Sequence, residues 1–269
     1  MKRAAIFLIA ICLATSAIPA SAGIVTQLPA GTVRYNLVER EINVGQEKSI
    51  TYTLDLVTGK NGGVTALIES AVDKDGKPLE ITADCRARMN APAGGLATIR
   101  LWPAAKDLGP TFVDLCAPAD LFHAMTDMSN IILIRTAPQF GGGNLAKAGD
   151  KHTFDGFKAQ WVRGGEEGAV ATPGGIIALT AFDETKAVLQ WQPAPMTVNL
   201  TVSAPNGVMR IAATEDFDFE LIIEVPSGML IEARTLHDDL NGTILLPNVP
   251  ADHAPKLFSQ REVVLRRMP

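Results

Sequence analysis

The chain has 269 residues, 24 basic and 29 acidic side chains, a net charge of −5 and 47% hydrophobic residues. That balance gives no reason to expect binding to nucleic acid or to an anionic membrane face, both of which reward basic clusters, and leaves room only for a local patch. The length supports a large core without a metal or a dense disulfide framework.

Residues 1–22 read as a signal peptide: Lys2 and Arg3, a nearly continuous apolar run from Ala4 to Ala17, then the small residues Ala20-Ser21-Ala22. The run falls short of the about 20 apolar residues a spanning helix needs, so it is expected to be an address and not an anchor. Cleavage after Ala22 would leave a periplasmic chain beginning at Gly23, with no transmembrane anchor. It would also remove Lys2, Arg3 and Cys12, leaving 22 basic against 29 acidic residues and two cysteines, Cys85 and Cys116. An even pair in an oxidising compartment, without Cys-x-x-Cys spacing, predicts a disulfide. Closing a loop of roughly 32 residues would contribute about 3.7 kcal/mol on the chain-entropy account.

Strict apolar-polar alternation then predicts half-covered strands near Val33 to Ile42, Ser49 to Thr58, Val64 to Asp73 and Pro78 to Cys85. Asn61-Gly62-Gly63 and Asp75-Gly76 mark tight turns between them. Pro118 is placed to open a helix carrying Leu121, Phe122, Met125 and Met128 on one side. On its other side Asp120, His123 and Asp127 read as a solvated face. Ile131 to Ile134 reads as a buried strand, and Phe140 to Asp150, which contains Gly141-Gly142-Gly143, as a glycine-rich linker.

Alternation resumes in Val198, Leu200 and Val202, and again from Phe217 to Val225. Asn206-Gly207, Ser227-Gly228 and Asn241-Gly242 supply turn signals. Met196 to Leu246 thus reads as a meander. The division expected is 23–139, a β-rich part with the stapled helix; 140–150, the linker; and 151–269, an antiparallel meander. The fold class is mainly β: a curved antiparallel sheet or sandwich of about a dozen strands with one short helix packed on it.

Chemistry-bearing motifs are sparse. His237, Asp238, Asp239 and Asn241 have the donors for a metal, but a hairpin turn accounts for the same residues. Asp73 and Asp75-Gly76 open like a calcium loop, yet Lys77 and Pro78 break the pattern. No Gly-x-Ser-x-Gly elbow, His-Glu-x-x-His pair or phosphate-cradling Gly-rich loop with its lysine occurs. No cofactor, metal or catalytic residue is therefore expected, and an enzyme with a motif-free site ranks last.

The first-ranked expectation is an apolar groove for a lipid-like ligand or a partner segment, lined by Phe217, Phe219, Leu221, Met125 and Met128. The alternative is a cell-envelope interaction or assembly protein without a small-molecule ligand. In architecture the expectation is similar to exported sheet-and-helix lipid carriers, and no residue string ties the chain to a named family.

Overall fold

The computed structural model describes residues 28–43, 46–102, 119–136, 145–163, 166–204, 207–225 and 227–269. Eleven strands form one antiparallel sheet. They are β1 (Gly31–Asn43), β2 (Gln46–Thr58), β3 (Val64–Asp73), β4 (Ala97–Trp102), β5 (Lys151–Arg163), β6 (Glu166–Phe182), β7 (Lys186–Pro193), β8 (Met196–Ala204), β9 (Gly207–Glu224), β10 (Leu230–Leu245) and β11 (Lys256–Arg267). The order across the sheet is β4-β3-β2-β1-β11-β10-β9-β7-β6-β5, with β8 between β6 and β9. The last strand pairs with the first in the middle of this order and so joins β1–β4 to the rest of the sheet, Leu37 opposite Leu265 and Glu41 opposite Arg261.

Period two fixes which face each strand buries. Tyr35 and Leu37 of β1 stand beside Leu54 and Tyr52 of β2, and all four are fully buried. The Tyr35 hydroxyl donates to the Leu230 carbonyl at 2.8 Å, tying β1 to the start of β10. The opposite face is wet and carries cross-strand ion pairs: Arg34 with Asp55 and Glu69, Arg234 with Glu220, Arg266 with Glu232. Such exposed pairs contribute little each and chiefly keep that face solvated.

Among the described residues two helices join the buried face: α1 (Ala83–Arg88) and α2 (Ala119–Thr136). α1 stands where the strand from Pro78 to Cys85 is expected. Only Val72 and Pro78 bridge there, and Thr82 caps a helix by accepting from the Cys85 N–H at 3.1 Å. The isoleucines read as a strand at Ile131 to Ile134 belong to α2. Leu121, Ala124, Met128, Ile131 and Ile132 form one buried helical stripe, which overrides the β preference of the isoleucine run. Among the described residues no helix is long and apolar enough to cross a membrane.

The turns at Asn61-Gly62 and Asp75-Gly76 occur as expected, the second an Asx turn in which Asp73 Oδ1 accepts from the N–H groups of Asp75 and Lys77. Ser227-Gly228 also turns the chain. Ala204 pairs with Gly207, though Asn206 lies outside the described residues, as do residues 137–144, which include the first part of the expected linker, 140–144. Asn241-Gly242 is a correction: β10 runs straight through it. Its glycine serves close approach, since a Cβ there would stand 2.5 Å from the Ala213 Cβ.

A line of irregularities crosses the sheet. β7 and β8 lie end to end in one slot, interrupted at Ala194-Pro195, while β6 pairs with β7 through Gly175–Phe182 and with β8 through Glu166–Ala171. Between those segments Thr172-Pro173-Gly174 leaves the ladder on the β7–β8 side, while Thr172 and Gly174 stay opposite Phe157 and Asp155 of β5, and the Thr172 hydroxyl is shared by the carbonyls of Gly174 and Ala194, 3.1 Å from each. Gly156 of β5 faces this break; a Cβ there would stand 2.4 Å from the Thr172 carbonyl oxygen. At the same level β10 carries a bulge, Leu236, between the pairs Thr235–Phe219 and His237–Asp218. Prolines lack the ladder N–H and bulges bend strands, so the defects form a crease. On one side lies the packed body. On the other lies an arm made from the end of β5, the start of β6, β8, the first half of β9, the end of β10 and the start of β11.

Candidate functional site

The aromatic candidates belong to the body. Phe217 and Phe219 of β9 meet edge to face with centroids 5.7 Å apart, and Trp191 of β7 contacts both at 5.2 and 6.3 Å. Phe154 of β5 stacks on the far side of Trp191 at 5.9 Å. Leu221 and Met128 are fully buried in the same core. The Met125 side chain lies outside the described residues. Cys85 is buried on α1, and Cys116 lies outside the described residues.

Along β9 the inner face changes character at the crease. Leu221, Phe219 and Phe217 give way to Glu215, then to Ala213, Ile211 and Met209. Glu215 enters a charged cluster drawn from four elements. Arg261 of β11 donates through Nη2 to Asp127 of α2 at 2.5 Å, and its Nη1 lies 3.7 Å from Asp238 of β10 and 4.0 Å from Glu215. Asp127 and Asp238 keep only 5% side-chain exposure, and Asp238 Oδ1 is buried without a hydrogen-bond partner.

Burial pushes the Asp238 carboxyl up to about 8, against the pull of Arg261 and with help from Glu215 and Asp127. Glu215 is raised as well, again mainly by burial. Burial acts to lower Arg261, but Asp127, Asp238, Glu39 and Glu215 outweigh it, so the guanidinium stays charged. Burial and the crowding of carboxylates around one guanidinium thus act together to raise the proton affinity of Asp238 and Glu215.

Asp127 corrects the reading of that helix face as solvated: the sheet curls beneath α2, so the side opposite Leu121 meets β11 instead of water. His123, half-buried on the same helix, borders a cleft of about 20 Å³ with Glu39, Arg40, Glu41, Lys48 and Arg261. A cleft of that size has room for one water, not for an organic ligand.

Beyond the cluster the arm presents an apolar inner face. Register places Val198, Leu200 and Val202 of β8 beside Ala213, Ile211 and Met209 of β9, with Ile244 of β10 beside Ile211 and Val170 of β6 beside Val198. Apart from buried Ala213 these side chains are half-buried, and of them only Val170 and no other half-buried member packs against the core. The other face of β8 carries Thr197, Asn199, Thr201 and Ser203, so the arm is amphipathic.

The remaining candidates are dispersed. His237 follows the bulge as an exposed residue 3.3 Å from Asp216, and Asp239 accepts from Gln260 at 3.0 Å. His253 is exposed on a short 3-10 turn, and His152 lies half-buried on β5. Among the described residues no group of three His, Cys, Asp or Glu side chains is placed to hold a metal ion. Sequence reasoning missed the arm face and Arg261, although the alternation of β8 and β9 carried the signal for the first. No family model matches the chain, and neither a curated protein nor a solved structure matches it.

Proposed function

We propose that this is an exported periplasmic β protein that receives an apolar, lipid-like ligand or a partner's apolar segment on the inner face of its arm. The carrying observation is the contiguous apolar surface of Val198, Leu200, Val202, Met209, Ile211 and Ile244, half-exposed beyond the crease. Apolar surface gathered on one face of an otherwise polar ribbon is the usual mark of a binding surface. Phe217, Phe219 and Leu221 support the site from behind, as the core on which the arm is mounted. Native mass spectrometry of protein purified from the periplasm tests the reading. A co-purifying lipid that is lost in Leu200→Glu or Ile211→Asp supports it; an empty wild-type protein together with no partner captured through the arm overturns it.

A second reading, an envelope assembly protein, is favoured by the sheet edges. Among the described residues β4 and β5 each pair on one side only, and an open edge can take a partner strand. Crosslinking from exposed Lys158 of β5 that repeatedly yields one envelope protein supports this reading, whereas random products remove it. The Cys85–Cys116 bridge belongs to the same proposal, because export provides the oxidising compartment. Intact mass with and without reductant shows whether two hydrogens separate the forms.

A further inference from the structure

Asp238 and Glu215 sit on adjacent strands at the crease, and both lie within 4.0 Å of the same guanidinium nitrogen of Arg261. Asp238 is almost wholly buried, one of its oxygens has no hydrogen-bond partner, and Glu215 crowds the same guanidinium, so burial raises the proton affinity of both carboxyls. The charged groups that bear on the pair are Arg261 from β11 and Asp127 from α2; Glu39 of β1 bears on Arg261, and Arg40 and Glu41 of β1, Lys48 of β2 and His123 of α2 line the cleft beside that guanidinium. Among the described residues Arg261 is the cation that pairs with both carboxyls.

We propose that this carboxyl pair is a proton-operated joint between body and arm: closing the crease takes up one proton, and opening it releases that proton to water. The position is as important as the chemistry. Pro173, Gly174, Pro195 and the Leu236 bulge weaken the ladder on the line where the pair is buried, so flexing there wets the pair before any body strand separates. Once wetted, each carboxyl ionises as an ordinary acid, and the two negative charges oppose re-closure. Acid medium therefore holds the arm against the body, and alkaline medium loosens it, exposing more of the apolar inner face. The inference stands whether or not that face carries a ligand.

Hydrogen exchange on the purified protein, corrected for the intrinsic effect of pH, tests the joint at about pH 5 and about pH 8.5. Arm amides in 207–216 and 239–245 are expected to lose protection at least about tenfold at the higher pH, with those of Tyr52–Leu56 in β2 unchanged. Asp238→Asn is expected to keep the arm protected at both pH values. Glu215→Gln serves the same purpose should the asparagine variant not fold, and the wild-type comparison of arm with β2 stands without either. Parallel loss in arm and β2, an arm indifferent to pH, or a wild-type response retained in a folded variant each overturns the proposal.

Discussion

Arg261 of β11 and Asp127 of α2 meet at 2.5 Å across 134 residues of sequence, and through that contact the helix is held to the sheet by charge as well as by its apolar stripe. Without Asp127, Arg261 loses its closest acceptor but keeps Asp238 and Glu215 within 4.0 Å. Asp127→Ala is therefore expected to destabilise the fold by about 1.5–3 kcal/mol in urea denaturation. Asp127→Asn should cost less, because the amide oxygen can still accept from the guanidinium. Replacing both partners, Asp127→Leu with Arg261→Met, should cost less than the two single changes together. Additivity would mean that the contact carries no coupling.

The aromatic group around Trp191 is a packing unit, and its loss should read as a cavity. Phe217→Ala is expected to cost about 3–5 kcal/mol, since Phe217 is buried against both Trp191 and Phe219. Thermal unfolding followed by tryptophan emission measures this. If Phe217 instead contacted a ligand, its truncation would leave the empty protein's stability nearly intact.

Much of the sheet could be read in advance, because period two survives wherever one face is dry and the other wet. Phe217, Phe219, Leu221 and Ile223 show both a strand and its buried side. Asn241-Gly242 misled for a physical reason: glycine serves a positive-φ turn and a close backbone approach equally well, and only the register that sets Gly242 beside Ala213 tells them apart. The contact between Asp127 and Arg261 was out of reach, because a helical projection knows the helix's own apolar side but not what curls under the other. The crease left a trace in Pro173-Gly174 and Pro195, yet its meaning needs the alignment of these residues across neighbouring strands.

That reading of Gly242 has its own test. Gly242→Ala adds a methyl where Ala213 Cβ would be 2.5 Å away and the Ala212 carbonyl oxygen 2.7 Å away. Overpacking of this kind is expected to cost about 1–3 kcal/mol and to shift or loosen the β9–β10 register in the arm. Chemical-shift changes should concentrate near Ala212, Ala213 and Gly242. A variant as stable as the parent would show that the two strands stand further apart than the register implies.

The pH dependence of stability carries a definite sign. Asp238 has its carboxyl raised from the ordinary 3.8 to about 8, chiefly by burial, so the folded protein keeps a proton that the unfolded chain gives up. Stability from this group is complete below about pH 4 and declines as pH rises to about 8, with a slope of at most about 1.4 kcal/mol per unit. Asp150 and Asp183 act in the opposite sense. Asp150 is held below its ordinary value by the N–H groups of Ala146 and Lys147, and Asp183 by the Thr185 hydroxyl and neighbouring N–H groups, so both lose their contribution as acid protonates them. Urea midpoints across this range should therefore peak on the acid side of neutrality. Asp238→Asn removes the titrating carboxyl while keeping its shape, so its curve should be flat between about pH 5 and about pH 8 where the parent's falls. Equal slopes in the two proteins would place the bound proton somewhere other than the Asp238–Glu215 pair.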